Sequence, residues 1–503
     1  MLRIPRAAAF NAVHAGRFPE LGNVPGVAEV RLDGDFVFEE QYFDTFDLRL
    51  ASKGIVLFRK SGGPGQGWHL ERRGLPEHVE PLGSGTEPPE ALTAQLRFYL
   101  RGNPVVPSVD VTIVRRVSRL LGPEETPIGS VADEHHRAEP LLADGEPRAW
   151  RRWDYDLVPE RADGIADDLR DVFLAAGARP LKRSDSLLSL RSAGGTGGKH
   201  APSKPRGKAA RVFSAHFGEQ LALLEQLDLE VRSGDPEAIH RLRTVLRRLP
   251  TALSAFREDL DDDARRALNE ELQGLGRVLD QVRDTAAMRE RLRGRLRDEA
   301  PELVLGPVGQ IIDEYLGAEH HVAVLDLTQA VESERYFRLL DGLDRIASVG
   351  DDGGKRFTTK PRVAVVVRRD ARRLRAAMSA LAEADGGAAA GRAREGHDRA
   401  QHEVLEAAKS VRYSAELARP FGRKKARRLE KKATKIQQVL GEHQDCVVSA
   451  DLLRRLAIDA HGRGENAFTL GRLHARELEF ARQAEADFER LRKKLPAKLG
   501  GRA

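Results

Sequence analysis

The sequence predicts an α+β multidomain protein. An N-terminal antiparallel β-barrel is followed by an all-α domain of two pseudo-repeated helical bundles. Three observations carry this reading: a change of texture near residue 195, a linker composition just after it, and an internal repeat in the helical part.

Before residue 195 the chain shows short β segments at 27–32, 39–43, 55–60, 111–117 and 150–157. Glycine- and proline-containing turns such as 61–67 divide them, as expected of a sheet or barrel. One amphipathic helix follows at about 164–176. Residues 193–208 are rich in glycine, proline and lysine, which bury no core, and read as a flexible linker. The domains are thus 1–192, the linker 193–208, and 209–503 with repeats at about 209–340 and 361–503.

After the linker, apolar residues recur at three- and four-residue spacing, beginning with Leu221, Leu224, Leu227 and Leu229. Breakers are sparse: 233–236, Pro301, 306–307, 350–354 and the soft stretch 384–391. The segment 237–248 recurs at 399–410, with His240 against His402 and Arg247 against Lys409. Downstream, Val278-Leu279 before Asp284 matches Val439-Leu440 before Asp445. Two related bundles packed as a pseudo-dimer are the simplest account.

The 503 residues are 41% hydrophobic and 32% charged, with net charge +6 and pI near 9.3, which suits a soluble protein with much solvated surface. The single cysteine, Cys446, excludes an intrachain disulfide and a thiolate metal cluster. Apolar runs such as 363–367 are far too short to span a bilayer, and 1–30 holds no signal-length run. A cytoplasmic protein without a membrane partner is expected.

The chemistry sits in the basic helices. His240, Arg243 and Arg247 stand at i, i+3 and i+7, one face of a helix, with Arg241 and Arg248 flanking. His402 and Lys409 repeat the spacing, Arg412 extends it, and the run 423–432 followed by Lys435 adds more positive charge. Like charges at these spacings repel unless solvated, neutralised by carboxylates or matched to an anion. Guanidinium forks suit phosphate oxygens, and a row of them suits a chain of phosphates better than a single one. Aromatic residues are 5% of the chain and few interleave the basic rows, which disfavours a nucleic-acid stacking platform. Asp284 and Asp445 read as positioning or capping groups.

The stretches 239–248, 279–284, His402, 409–413 and 439–445 resemble the CHAD (conserved histidine α-helical domain) family, over about 205–503. The resemblance implies binding of inorganic polyphosphate on a basic surface between two bundles, without a cofactor, and association with polyphosphate granules. Carried onto this chain, the implied binding residues are His240, Arg243, Arg247, Arg248, Arg283, His402, Lys409, Arg412, Lys432 and Lys435. Leu405 stands where the first copy has Arg243, so a weaker second half-site is expected.

The stretches 42–63, 68–70, 114–119, 131–134 and 150–157 resemble the CYTH (triphosphate tunnel) family, over about 1–192. That family implies a closed barrel whose lumenal bases hold triphosphate and whose carboxylates hold magnesium for hydrolysis. Several of its charges are missing here. Phe58 replaces a basic residue, Glu71 and Asp185 stand where lysines are usual, and 1–5 reads as sequence following the family's opening Glu-x-Glu-x-Lys strand. The remaining catalytic candidates are Lys60, Arg115 or Arg116, Arg119, Asp154 and Asp156, with Asp154 and Asp156 as candidate metal ligands. Each loss weakens triphosphate binding, so an impaired barrel is expected. A magnesium-dependent triphosphatase, a nucleic-acid binder and a plain scaffold are the alternatives.

Overall fold

The computed structural model describes residues 7–13, 16–63, 65–72, 76–83, 85–142, 146–159, 164–181, 208–255, 260–349, 363–385 and 392–494. Residues 1–5, Asp185 and the linker short of Lys208 lie outside them. The chain divides into two compact units, Met1–His200 and Ala201–Ala503.

Among the described residues, unit 1 is a nine-stranded antiparallel sheet. Its strands are β1 (Ala7–Ala12), β2 (Glu29–Asp44), β3 (Ile55–Ser61), β4 (Gly67–Arg72), β5 (His78–Glu80), β6 (Val106–Leu121), β7 (Pro127–Pro140), β8 (Arg148–Leu157) and β9 (Arg179–Pro180). The order is β5-β4-β3-β2-β6-β7-β8-β1-β9, and the end strands are not paired with each other there, so the expected barrel is present as an unclosed sheet. The segments 27–32 and 39–43 are one strand, not two: Asp33-Gly34 forms a bulge in β2 rather than a turn.

Side chains alternate between the two faces. One face packs Phe10, Trp153 and Tyr155 against α3 (Ile165–Ala175) through Leu169 and Phe173. Farther along, Leu57, Trp68 and Leu70 meet α2 (Glu90–Leu100) through Leu92 and Leu96, near the one-turn α1 (Arg49–Ser52). The opposite, inner face is apolar at its centre, with Phe38, Val109, Val111, Ile113 and Ala138. The turn after β3 needs glycine, because Gly62 and Gly63 take φ of 78° and 72° and a Cβ on Gly63 would collide with the Phe38 ring.

Unit 2 is helical: α4 (Lys208–Arg232), α5 (Pro236–Ala255), α6 (Asp262–Arg297), α7 (Val308–Glu332), α8 (Glu334–Val349), α9 (Val363–Asp385), α10 (Arg392–Leu417), α11 (Arg419–Gly462) and α12 (Phe468–Lys494). The helix packing repeats: α4 on α5, α5 on α6 and α6 on α7 recur as α9 on α10, α10 on α11 and α11 on α12. Equivalent helices also meet, α5 with α10 and α6 with α11, as a pseudo-two-fold arrangement demands. The halves share a core, in which Leu292, Ile312 and Leu316 pack with Leu453, Leu456 and Leu470. Among the described residues helix α8 has no counterpart in this order.

Candidate anion-binding surface

Helix α5 starts where Asp235 accepts a hydrogen bond from the Ala238 amide at 2.7 Å, an N-cap followed by Pro236. Leu242, Val245, Leu246 and Leu249 are buried and turn the basic row outward. His240 is exposed, whereas Arg243 and Arg247 are half-buried and already engaged. Both donate to Asp280 on α6, Arg247 at 3.1 Å. Arg248 reaches Glu416 on α10 at 2.7 Å, an ion pair between the two halves.

The second copy differs in detail. His402 is exposed, and Lys409 pairs with Glu406 at 2.5 Å. Arg412 lies over the Tyr413 ring at 4.3 Å with its Nε buried and without a hydrogen-bond partner. Leu405 is in the core. The repeat that sets Leu405 against Arg243 also sets Gly441 against Asp280. Both members of one ion pair are absent together, so no orphaned half-buried charge is left behind.

Arg283 pairs with Asp284 at 3.2 Å. Burial is the main cause that pushes the Asp445 carboxyl above its ordinary range, with Glu442 and Asp284 adding to it and Arg291 and Arg283 opposing. Close by, Arg291 on α6 donates to Glu442 at 2.9 Å and to the fully buried Glu477 at 2.8 Å, while Arg295 donates to Glu477 at 2.7 Å. This network ties α6 to α11 and α12. Burial pushes the neighbouring Cys446 thiol up to about 12, leaving it a packing residue rather than a nucleophile.

The densest run of positive charge among the described residues is on α11. Residues 419–435 hold nine basic residues and one acidic residue, in a chain whose net charge is only +6. Ala426, Leu429, Ala433, Ile436 and Leu440 are buried at helical spacing, which fixes the cations outward. Arg423, Lys424, Lys425, Arg427, Arg428, Lys431 and Lys435 are exposed and Lys432 is half-buried. None of these eight pairs with a described carboxylate. At 1.5 Å per residue they form a ridge about 18 Å long. The backbone leaves helical geometry at Gly422, and there an open cleft of about 530 Å³ is lined by Arg419, Arg423, Lys424, Arg427, Arg428, Glu430 and Lys431. The sequence marks the run 423–432 and Lys435 as basic, but the family resemblance implies only Lys432 and Lys435 of it as binding residues.

In unit 1 the inner-face candidates are neutralised or packed. Phe58 is buried and stacks on Tyr42 and His69, with centroids 5.1 and 4.7 Å away. Lys60 lies over the Phe38 ring at 5.0 Å. Arg115 is held between Glu134 and Asp154, the latter at 3.0 Å. Arg119 pairs with Asp33 at 2.5 Å, and Arg116, on the other face, pairs with Asp35 at 2.8 Å. Burial pushes the Asp154 carboxyl up to about 6 despite Arg115, whereas Glu134, beside His136 and Arg115, falls to about 2. Register places Asp154 and Asp156 on the same face, opposite Ala9 and Ala7, but Asp156 is exposed. Among the described residues no group of three or more His, Cys, Asp or Glu is placed to hold a metal. A magnesium ion takes near-octahedral oxygen ligands, and a desolvated Asp154 already bonded to Arg115 does not fit that role.

Among the described residues no helix is long and apolar enough to cross a membrane. Residues 215–454 match the CHAD domain family, so unit 2 carries a CHAD domain. The whole chain is similar to two Mycobacterium tuberculosis proteins, described as uncharacterized proteins Rv2226 (strain H37Rv) and MT2285 (strain CDC 1551). Each is 29% identical over 97% of this chain and 95% of its own length. Among solved structures, PptA from Streptomyces chartreusis aligns at TM-score 0.42 and 21% identity, over 57% of this chain and 99% of that one. The CHAD domain from the plant Ricinus communis aligns at TM-score 0.41 and 23% identity, over 59% of this chain and 94% of that one.

Proposed function

We propose that the CHAD domain at 215–454 binds inorganic polyphosphate, with the α11 ridge as its principal contact and the α5 row as a flank. The observation that carries this reading is the ridge of eight cations with no described carboxylate partner, on a domain whose other arginines are largely paired. Mutual repulsion makes such a ridge costly in isolation, and a flexible chain with charge on every phosphate relieves it along its whole length. The exposed His240 and His402 add donors at the flanks. Granule association and a cytoplasmic site of action follow from this reading.

Unit 1 is read as a triphosphate-tunnel sheet that has become structural. Its bases are spent on carboxylates or rings, and Phe58 and Glu71 lie on its inner face. Hydrolysis of triphosphate is not part of the proposed function, and neither magnesium nor another cofactor is required for it.

The test is calorimetric titration of long-chain polyphosphate into the full chain at several salt concentrations. Engagement of most of the ridge predicts a log-log salt slope of roughly −5, by analogy with counterion release from single strands. Absence of binding at low salt overturns the reading. Competition by RNA at equal phosphate concentration, as strong as that by polyphosphate, would instead make the surface a general polyanion or nucleic-acid site.

A further inference from the structure

Where the two halves meet, two arginines are held by the same kind of internal grip. Arg248 on α5 presents Nε and Nη2 to the two oxygens of Glu416 at 3.3 and 2.7 Å. Arg419, at the start of α11, presents the same two nitrogens to Glu430 at 3.0 and 2.5 Å. This fork-on-fork geometry is also how a guanidinium takes a phosphate. All four side chains keep access to water, at 26% and 19% exposure for the first pair and 42% and 22% for the second. The pairs are neighbours: the bond to Glu430 is the largest cause that raises the Arg419 pKa, and the field of Glu416 adds to it. Glu430 also lines the cleft at the Gly422 break and is the one acidic residue within 419–435. Arg248, Glu416, Arg419 and Glu430 therefore form a ladder of alternating charge from the α5 row to the α11 ridge.

Resting on the polyphosphate reading, we propose that Glu416 and Glu430 are internal stand-ins for phosphate that keep the junction closed to all but long chains. They occupy Arg248 and Arg419 and hold both forks at the orientation a phosphate needs. A short polyanion settles on the free ridge, where it makes too few contacts to displace them. A long chain anchored along α11 delivers further phosphates to the junction at high local concentration. It displaces the two carboxylates and continues onto the α5 row. The carboxylates thus cost a chain long enough to displace them the strength of two ion pairs, and leave a short ligand on the ridge nearly untouched.

The test uses the full chain, with tripolyphosphate and long-chain polyphosphate as probes at one salt concentration. Wild type is compared with Glu416→Gln, Glu430→Gln and the double variant, each of which keeps a hydrogen-bonding group at the arginine. Long-chain affinity should rise roughly five- to tenfold in the double variant, as expected when two partly exposed ion pairs stop competing. Tripolyphosphate affinity should rise by less, so that the ratio of the two dissociation constants widens. An equal change for both probes, a larger rise for tripolyphosphate, or weaker long-chain binding in variants that melt like wild type, overturns the proposal. Glu430→Gln alone carries the test if the double variant melts early, because its pair is the more exposed. Wild type that binds neither probe sinks the functional reading and this inference with it; wild type that binds, with variants that leave the ratio unchanged, sinks the inference alone.

Discussion

The inner face of the sheet and the α11 ridge both carry arginine and lysine, yet these cations are in opposite electrostatic states. On the sheet, Arg115 lies between Glu134 and Asp154, Arg119 meets Asp33, and Lys60 rests on Phe38. On α11, eight cations face solvent without a described carboxylate partner. The difference teaches that counting basic residues does not locate an anion site. The counter-charge within reach of each one does. A paired cation contributes to the fold, whereas an unpaired row stores repulsion that an anionic ligand can relieve.

The comparison is broken most directly by reversing charge on the ridge. Arg427→Glu with Lys431→Glu should weaken long-chain polyphosphate binding about a hundredfold at low salt and flatten the salt slope. Circular dichroism should show the helices intact, since both side chains are exposed. Unchanged affinity would mean that the unpaired ridge is only a solvated surface.

The converse belongs to the sheet. Arg151 is buried and bonds to Asp133 at 2.6 Å through both Nε and Nη2, and Trp153 donates to the same carboxylate at 3.1 Å. Arg151→Met leaves that carboxylate without its cation and should cost about 3–5 kcal/mol by urea unfolding. Arg427→Ala should stay within about 0.5 kcal/mol. Equal costs for the two would erase the distinction between structural and ligand-facing cations.

Asp154 sharpens the picture through pH. Its carboxyl is raised to about 6 in the fold from an ordinary 3.8. The folded state therefore holds this proton more tightly than the unfolded chain does. The contribution is fully present below about pH 4 and is lost as pH rises through about 6. Asp154 is partly open to solvent, so wild type should lose about 1–2 kcal/mol over this interval relative to Asp154→Asn. Parallel stability curves for the two proteins would show that burial does not dominate at this carboxylate. The smallest effect is expected from His240→Gln and His402→Gln, each changing polyphosphate affinity by about twofold in the titration.

Much of the helical unit was legible because local rules apply there. The 3.6-residue apolar period marks each helix, and 233–236 and 306–307 separate helices as expected. Histidines recurring 162 residues apart announced the pseudo-two-fold packing. The sheet was less legible. Strand β7 carries Asp133, Glu134, His135, His136 and Arg137 in succession, so it lacks the apolar alternation of a strand. Helix α2 falls between the expected strands 55–60 and 111–117, where no helix is expected from the sequence. Asp33-Gly34 imitates a turn, but β2 continues through it because β6 pairs with both sides of the bulge.

The sequence by itself determined the two-part organisation, the repeat and the places where positive charge is dense, because composition and periodicity act over a few residues. Only the tertiary structure decided which charges are spent. Asp280 lies 37 residues from Arg243, Glu416 lies 168 from Arg248 and Glu477 lies 186 from Arg291. Ion pairing depends on distance in space, and no local pattern encodes a partner that folding brings from another helix. The α5 row foremost in the sequence is thus largely self-neutralised, while the α11 ridge keeps its field because no described carboxylate is folded onto it.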